Sequence, residues 1–230
     1  MEAAGIKFMK TATKHDITCF VYENLLSNGW KSSINYENFT PKRFSARSMQ
    51  IPGGSRAEFE RYVDYCYLLS NNFTDVDEAA KYADKQGTSI YFSVVLYWLL
   101  SQFGVVREKD LKFCQGYFSY KMEKTSPSTR YRAGMHAWLY YNRSIIDVTV
   151  WRQKDCFDFA KRGFDIPIIK GEMPPGLNLF GFEEDRSLAK EYARRFARDS
   201  GLNFYDWINF HRKQAELLAA FDNKLEKIPK

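Results

Sequence analysis

The spacing of apolar residues divides this chain into helical and strand-like stretches. Phe59, Val63, Cys66 and Leu69 repeat at helical spacing behind Ser55 and Glu58, a capping-box pair, and predict a helix over about 56–70. Thr74 and Asp77 open a short helix carrying Ala79, Ala80, Tyr82 and Ala83, which runs towards a break at Gly87. From Ser89 to Phe103 the chain is apolar on nearly all sides and stops at Gly104, the pattern of a buried central helix. After Lys112 the period changes to short aromatic and β-branched runs, predicting strands over 112–120, 137–142 and 144–150. Asn142-Arg143-Ser144 reads as a three-residue turn that makes the last two an antiparallel hairpin. Beyond a Pro-Pro-Gly loop at 174–176, helices are expected over about 185–199 and 204–223. The first fifty residues, rich in Asn, Ser, aromatic and basic side chains, offer only a short helix over about 16–26.

These elements predict an α+β fold in which a central helix packs on an antiparallel sheet, with extra helices at both ends. At 230 residues and 45% hydrophobic, the chain is long enough for one core, and its prolines and glycines mark no linker. A single domain over 1–230 is expected, with a core at about 55–152, a helical or loop segment at 1–54 and a helical extension at 153–230. The longest apolar stretch, Ile90 to Leu100, is about half of the ~20 residues that span a bilayer, so no membrane segment is expected. Met-Glu-Ala-Ala-Gly leads into no basic segment followed by an apolar run, which predicts a cytoplasmic location.

Composition narrows the partners. Cys19, Cys66, Cys114 and Cys156 stand far apart with no CxxC pair, the pattern of reduced thiols and not of a zinc site or a disulfide framework. The excess of 34 basic over 28 acidic residues is mild. Lys190, Arg194, Arg195 and Arg198 fall on a predicted helix, where such a run reads as a solvated face, so nucleic acid is not the expected partner.

Three histidines, His15, His136 and His211, supply every candidate imidazole base. His136 opens the predicted strand at Ala137-Trp138, and Asp147 follows on the next strand of the hairpin. A carboxylate there can hold the imidazole tautomer. A nucleophile gains most at a helix N-terminus, where the dipole and free N–H groups favour an anion. Ser89 occupies that place, with a hydroxyl that is a far weaker nucleophile than a thiolate.

The runs Gly87-Thr-Ser-Ile-Tyr-Phe-Ser, Leu99-Leu and Gly104, Gln115-Gly-Tyr, His136-Ala-Trp and Ile146-Asp-Val-Thr together resemble the transglutaminase-like, papain-related superfamily. The resemblance covers about residues 85–151. In that family Gly-x-Cys opens the central helix, and His-x-Trp with Asp-x-Thr completes a Cys-His-Asp triad. It implies a papain/transglutaminase-like fold, catalytic positions at Ser89, His136 and Asp147, and action on an amide of a peptide or protein, by hydrolysis or acyl transfer. Here Ser89 stands where the family has cysteine. Four readings of it remain open: an engineered Cys-to-Ser change, a natural pseudoenzyme, a working serine nucleophile, or an ordinary helix N-cap. The serine-hydrolase alternative is disfavoured, because Gly-Thr-Ser-Ile-Tyr lacks the second glycine of a nucleophile elbow.

Gln86 and Tyr91 are candidate oxyanion donors, with a solvated pre-helix position as the ordinary alternative for Gln86, and Trp138 is a candidate core residue or cleft wall. His15, His211 and the dispersed cysteines form no recognisable metal set, and neither GxGxxG nor GxxxxGK[ST] occurs, so no metal and no cofactor is expected. The aromatic residues, 17% of the chain, serve either a core or a peptide- or protein-binding cleft, which leaves a catalytically silent binding protein as the second expectation.

Overall fold

The computed structural model describes residues 31–34, 41–72, 87–121, 131–150 and 168–225. Strands β1 (Lys42–Phe44), β2 (Leu111–Lys121), β3 (Tyr131–Tyr141), β4 (Ser144–Asp147), β5 (Ile169–Gly171) and β6 (Leu177–Glu184) form one sheet in the order β1-β6-β2-β3-β4-β5. Every pairing is antiparallel. Helices α1 (Arg56–Asn72), α2 (Thr88–Gln102), α3 (Arg186–Asp199) and α4 (Phe204–Leu225) complete an α+β arrangement. Among the described residues no helix is long and apolar enough to cross a membrane.

Each face of the sheet carries its own core. On one face Phe113, Tyr117, Ala137, Leu139 and Ile146 meet the helices, with α2 at the centre. The other face gathers Phe44, Cys114, Phe118, Trp138, Ile145, Ile169, Leu177 and Leu179. α2 is buried along nearly its whole length, from Ser89 through Leu100 with Tyr91 half-buried, which accounts for the absence of a polar stripe in its sequence. Each buried Leu, Val, Ile or Phe contributes roughly 1.5–3 kcal/mol, so the helix is fixed by its surroundings more than by propensity. α3 shows the opposite pattern: Leu188, Ala189, Tyr192, Ala193, Phe196 and Ala197 are buried, while its arginines lie towards solvent and two of them approach Asp199.

Several sequence expectations need correction. β3 begins at Tyr131, six residues before the expected start at 137, because Arg132-Ala-Gly-Met carries no strand signature of its own but pairs residue for residue with β2. His136 is therefore interior to a strand. The hairpin turn is two residues, Asn142 and Arg143, both with positive φ (46° and 67°), as tight β-turns require, and Ser144 already pairs with Tyr141. β4 ends at Asp147, short of the expected 150. Strands β1, β5 and β6 were not expected, so residues from both ends of the chain build the sheet as well as the predicted helices. The short helices expected over 16–26 and after Thr74 lie outside the described residues.

At the sheet's centre the strands come unusually close. Gly116 lies opposite His136 on β3 and opposite Gly181 on β6. A Cβ on Gly116 would stand 2.0 Å from the Phe180 carbonyl oxygen, and one on Gly181 2.1 Å from that of Gln115. Only glycine fits at either position.

Candidate functional site

His136 and Asp147 meet in the interior. Extending the β3–β4 register by one step sets Asp147 opposite Trp138 and diagonal to His136, on the same face of the sheet. His136 Nε2 stands 2.5 Å from Asp147 Oδ2, and both side chains are about 1% exposed. The other carboxylate oxygen, Oδ1, accepts from the backbone N–H of Thr149 at 2.9 Å and from its hydroxyl at 3.0 Å. Those two donors fix the carboxylate, and Ser70 on α1 anchors the same turn by donating to Val148 O at 3.1 Å. With Nε2 directed at a carboxylate, the remaining ring nitrogen, Nδ1, is the one available for proton transfer. Nδ1 is buried and has no hydrogen-bond partner.

The ring rests against aromatic neighbours. Phe118 meets it edge-on at 5.5 Å and Trp138 lies nearly parallel to it at 6.2 Å and 21°. Gly116 across the strand adds no side chain, which leaves room for the imidazole.

Ser89 is the second residue of α2, 6% exposed. The N-cap is Gly87, whose φ of 81° lies in the left-handed region, so the reading of Ser89 as an ordinary N-cap is corrected. One turn further along the same helical face, Ser93 Oγ donates to Ala137 O at 3.2 Å. Ser89 thus sits about 6 Å along the helix axis from the contact that ties α2 to the residue after His136. The imidazole, however, projects on the face opposite Ala137, and the unpartnered Nδ1 makes no hydrogen bond to Ser89. The structure brings His136, Asp147 and Thr149 together and leaves the Ser89 hydroxyl outside that network.

Tyr91 turns away from this group. About 200° around the helix from Ser89, its hydroxyl lies 3.3 Å from His211 Nε2 and its ring packs on Phe196 and Trp207. Its expected oxyanion role therefore has no support in the placement of its side chain. Trp138 does line the group, and Gln86 lies outside the described residues. His211 is enclosed elsewhere, between Tyr65 (2.7 Å from Nδ1) and Tyr91, and burial lowers its pKa to about 3. Burial likewise raises the pKa of Tyr65, Tyr91 and Cys66.

Sequence reasoning missed a second buried polar cluster. Glu184, at the end of β6, accepts from Ser32 Oγ (2.7 and 2.9 Å), from Ser33 N and Oγ (both 2.7 Å) and from Gln115 Nε2 (2.9 Å). Gln115 also donates to Lys31 O at 2.8 Å and accepts from Tyr192 Oη, whose own pKa burial pushes up to about 12. These donors clasp residues 31–34 to the sheet and leave the carboxylate well satisfied. No signal local to Glu184 announces it, since the serines lie far away in sequence.

Among the described residues no group of three His, Cys, Asp or Glu side chains is placed to hold a metal ion. No family model, curated protein or solved structure matches this chain.

Proposed function

We propose that this chain is a transglutaminase-like protein of papain-related fold whose site takes an amide of a peptide or protein substrate. The observation that carries the reading is the buried His136–Asp147 pair, its carboxylate held by Thr149 and its Nδ1 free. The catalytic form requires the residue at position 89 to attack the carbonyl and His136, held by Asp147 through Nε2, to take its proton at Nδ1 and return it to the leaving amine. Here the ring lies on the sheet face away from α2, so that transfer needs the two brought together. Water as acceptor gives a peptidase or amidase, and an amine gives an acyltransferase. A cytoplasmic location belongs to the same proposal.

A second reading has its own support: Ser89 is not engaged by the imidazole, which favours a silent protein that holds the same ligand without turning it over. Ser89→Cys separates the two. A thiol at this helix N-terminus, coupled to His136, is expected to react with iodoacetamide with a midpoint below about pH 7.5, moving up towards about 8.5 when His136→Gln is added. Mass spectrometry assigns the labelled residue. A midpoint near about 8.5 that ignores His136 would refute the catalytic reading.

A further inference from the structure

The site contains a second orphan. Trp138 is wholly buried, yet its indole Nε1–H has no hydrogen-bond partner, and it lies beside His136, whose Nδ1 is equally unpartnered. The two rings are nearly parallel and project from the same strand on the same face, two residues apart. Buried polar groups are nearly always paired, so two orphans side by side are uncommon in an interior otherwise as apolar as this one. Their chemistry is complementary. Nε2–H points at a carboxylate, which leaves Nδ1 a lone pair to accept with, while the indole can only donate.

We infer that Trp138 and His136 together bind one neutral polar group of the ligand, an amide or a hydroxyl, whose oxygen accepts from the indole and whose proton is offered to Nδ1. A carboxylate fits poorly, since it supplies acceptors alone and leaves Nδ1 without a partner. The inference rests on the proposed site and gives Trp138 a positioning role that a cleft wall would not have.

The test uses the full chain with Ser89 in place and acetamide as the probe, with acetate as its isosteric anionic control. Five indole N–H signals are expected in a ¹H–¹⁵N spectrum, one for each tryptophan, and the Trp138 signal is the one lost in Trp138→Phe. Should that variant fold poorly, 3-benzothienylalanine at 138 keeps the shape and removes only the donor. Acetamide is expected to shift the Trp138 signal saturably and acetate is not. In His136→Gln, acetamide should bind about fivefold more weakly, the worth of one hydrogen bond.

A Trp138 signal that acetamide leaves in place, or that acetate moves equally, would overturn the inference. The indole N–H would then be satisfied by the ring of Phe44, which it meets edge-to-face at 5.1 Å. Failure of the proposed catalysis reads differently. In the Ser89→Cys variant, a thiol uncoupled from His136 alongside a responsive Trp138 would leave a binding site without chemistry. A coupled thiol alongside a silent Trp138 would keep the chemistry and remove this role.

Discussion

His211 makes acid stability a direct measure of the helical core. Its ring neighbours are Tyr65, Tyr91, Trp207 and Phe210, drawn from α1, α2 and α4, and none of them is a carboxylate that could stabilise an imidazolium. Burial alone lowers its pKa to about 3. The unfolded chain, with a histidine pKa of about 6.5, therefore binds a proton at pH values where the folded chain does not. The contribution to stability is complete above about pH 6.5 and is lost progressively as the pH falls from there towards about 3. At pH 5 the linkage amounts to about 2 kcal/mol relative to pH 7.5, a large part of a typical domain stability of about 5–15 kcal/mol. Urea denaturation of the parent and of His211→Gln at pH 7.5, 6 and 5 isolates the term, because the other titrating groups are common to both. The variant is expected to be about 1–3 kcal/mol less stable at pH 7.5, since Tyr65 and Tyr91 lose their partner, and the gap should close by about 2 kcal/mol at pH 5. Parallel curves across that range would show that His211 takes up its proton without resistance and that the enclosed geometry is wrong.

Two further outcomes follow from the sheet. Gly116→Ala puts a methyl group 2.0 Å from the Phe180 carbonyl oxygen, so it should destabilise by about 3 kcal/mol or more in the same denaturation assay, and a cost below about 1 kcal/mol would contradict the close approach of β2 and β6. Glu184→Gln replaces an acceptor of several hydrogen bonds with a group that donates from one end, and should cost about 1–3 kcal/mol. Limited proteolysis should then cut beside Lys31 to Ile34 at lower protease concentration than in the parent, and unchanged protection would mean that the clasp is held by other contacts.

What the sequence disclosed depended on how local each cause was. α1 starts at Arg56 directly behind the Ser55 and Glu58 signal, and α2 matches its apolar run to within a residue, because both are set by neighbours in the chain. The His136–Asp147 contact was legible because a hairpin turns a spacing along the chain into a distance in space. β6 was not legible: both of its faces are covered, so Leu177 to Glu184 shows no clean alternation, and its partners lie on β1 and β2. Nothing near Glu184 in the chain marks it as interior, and the distant Ser32 and Ser33 help to make it so. Closeness in sequence to Ser89 does not make Tyr91 its neighbour in space, because helical rotation carries the Tyr91 side chain to His211.

The strand order also bears on how the molecule is made. β1 is made first among the described strands, yet β6, the strand it pairs with, is made last, and β6 also supplies the second neighbour of β2. Until that strand arrives, one edge of the β2–β3 hairpin is bare and Ser32 and Ser33 have no carboxylate to hold. The nascent chain thus carries an open strand edge from the completion of β2 at Lys121 until β6 is made at Glu184, a state in which pairing with another chain competes with waiting. A message that ends before codon 177 would delete the keystone of the sheet and not merely a tail.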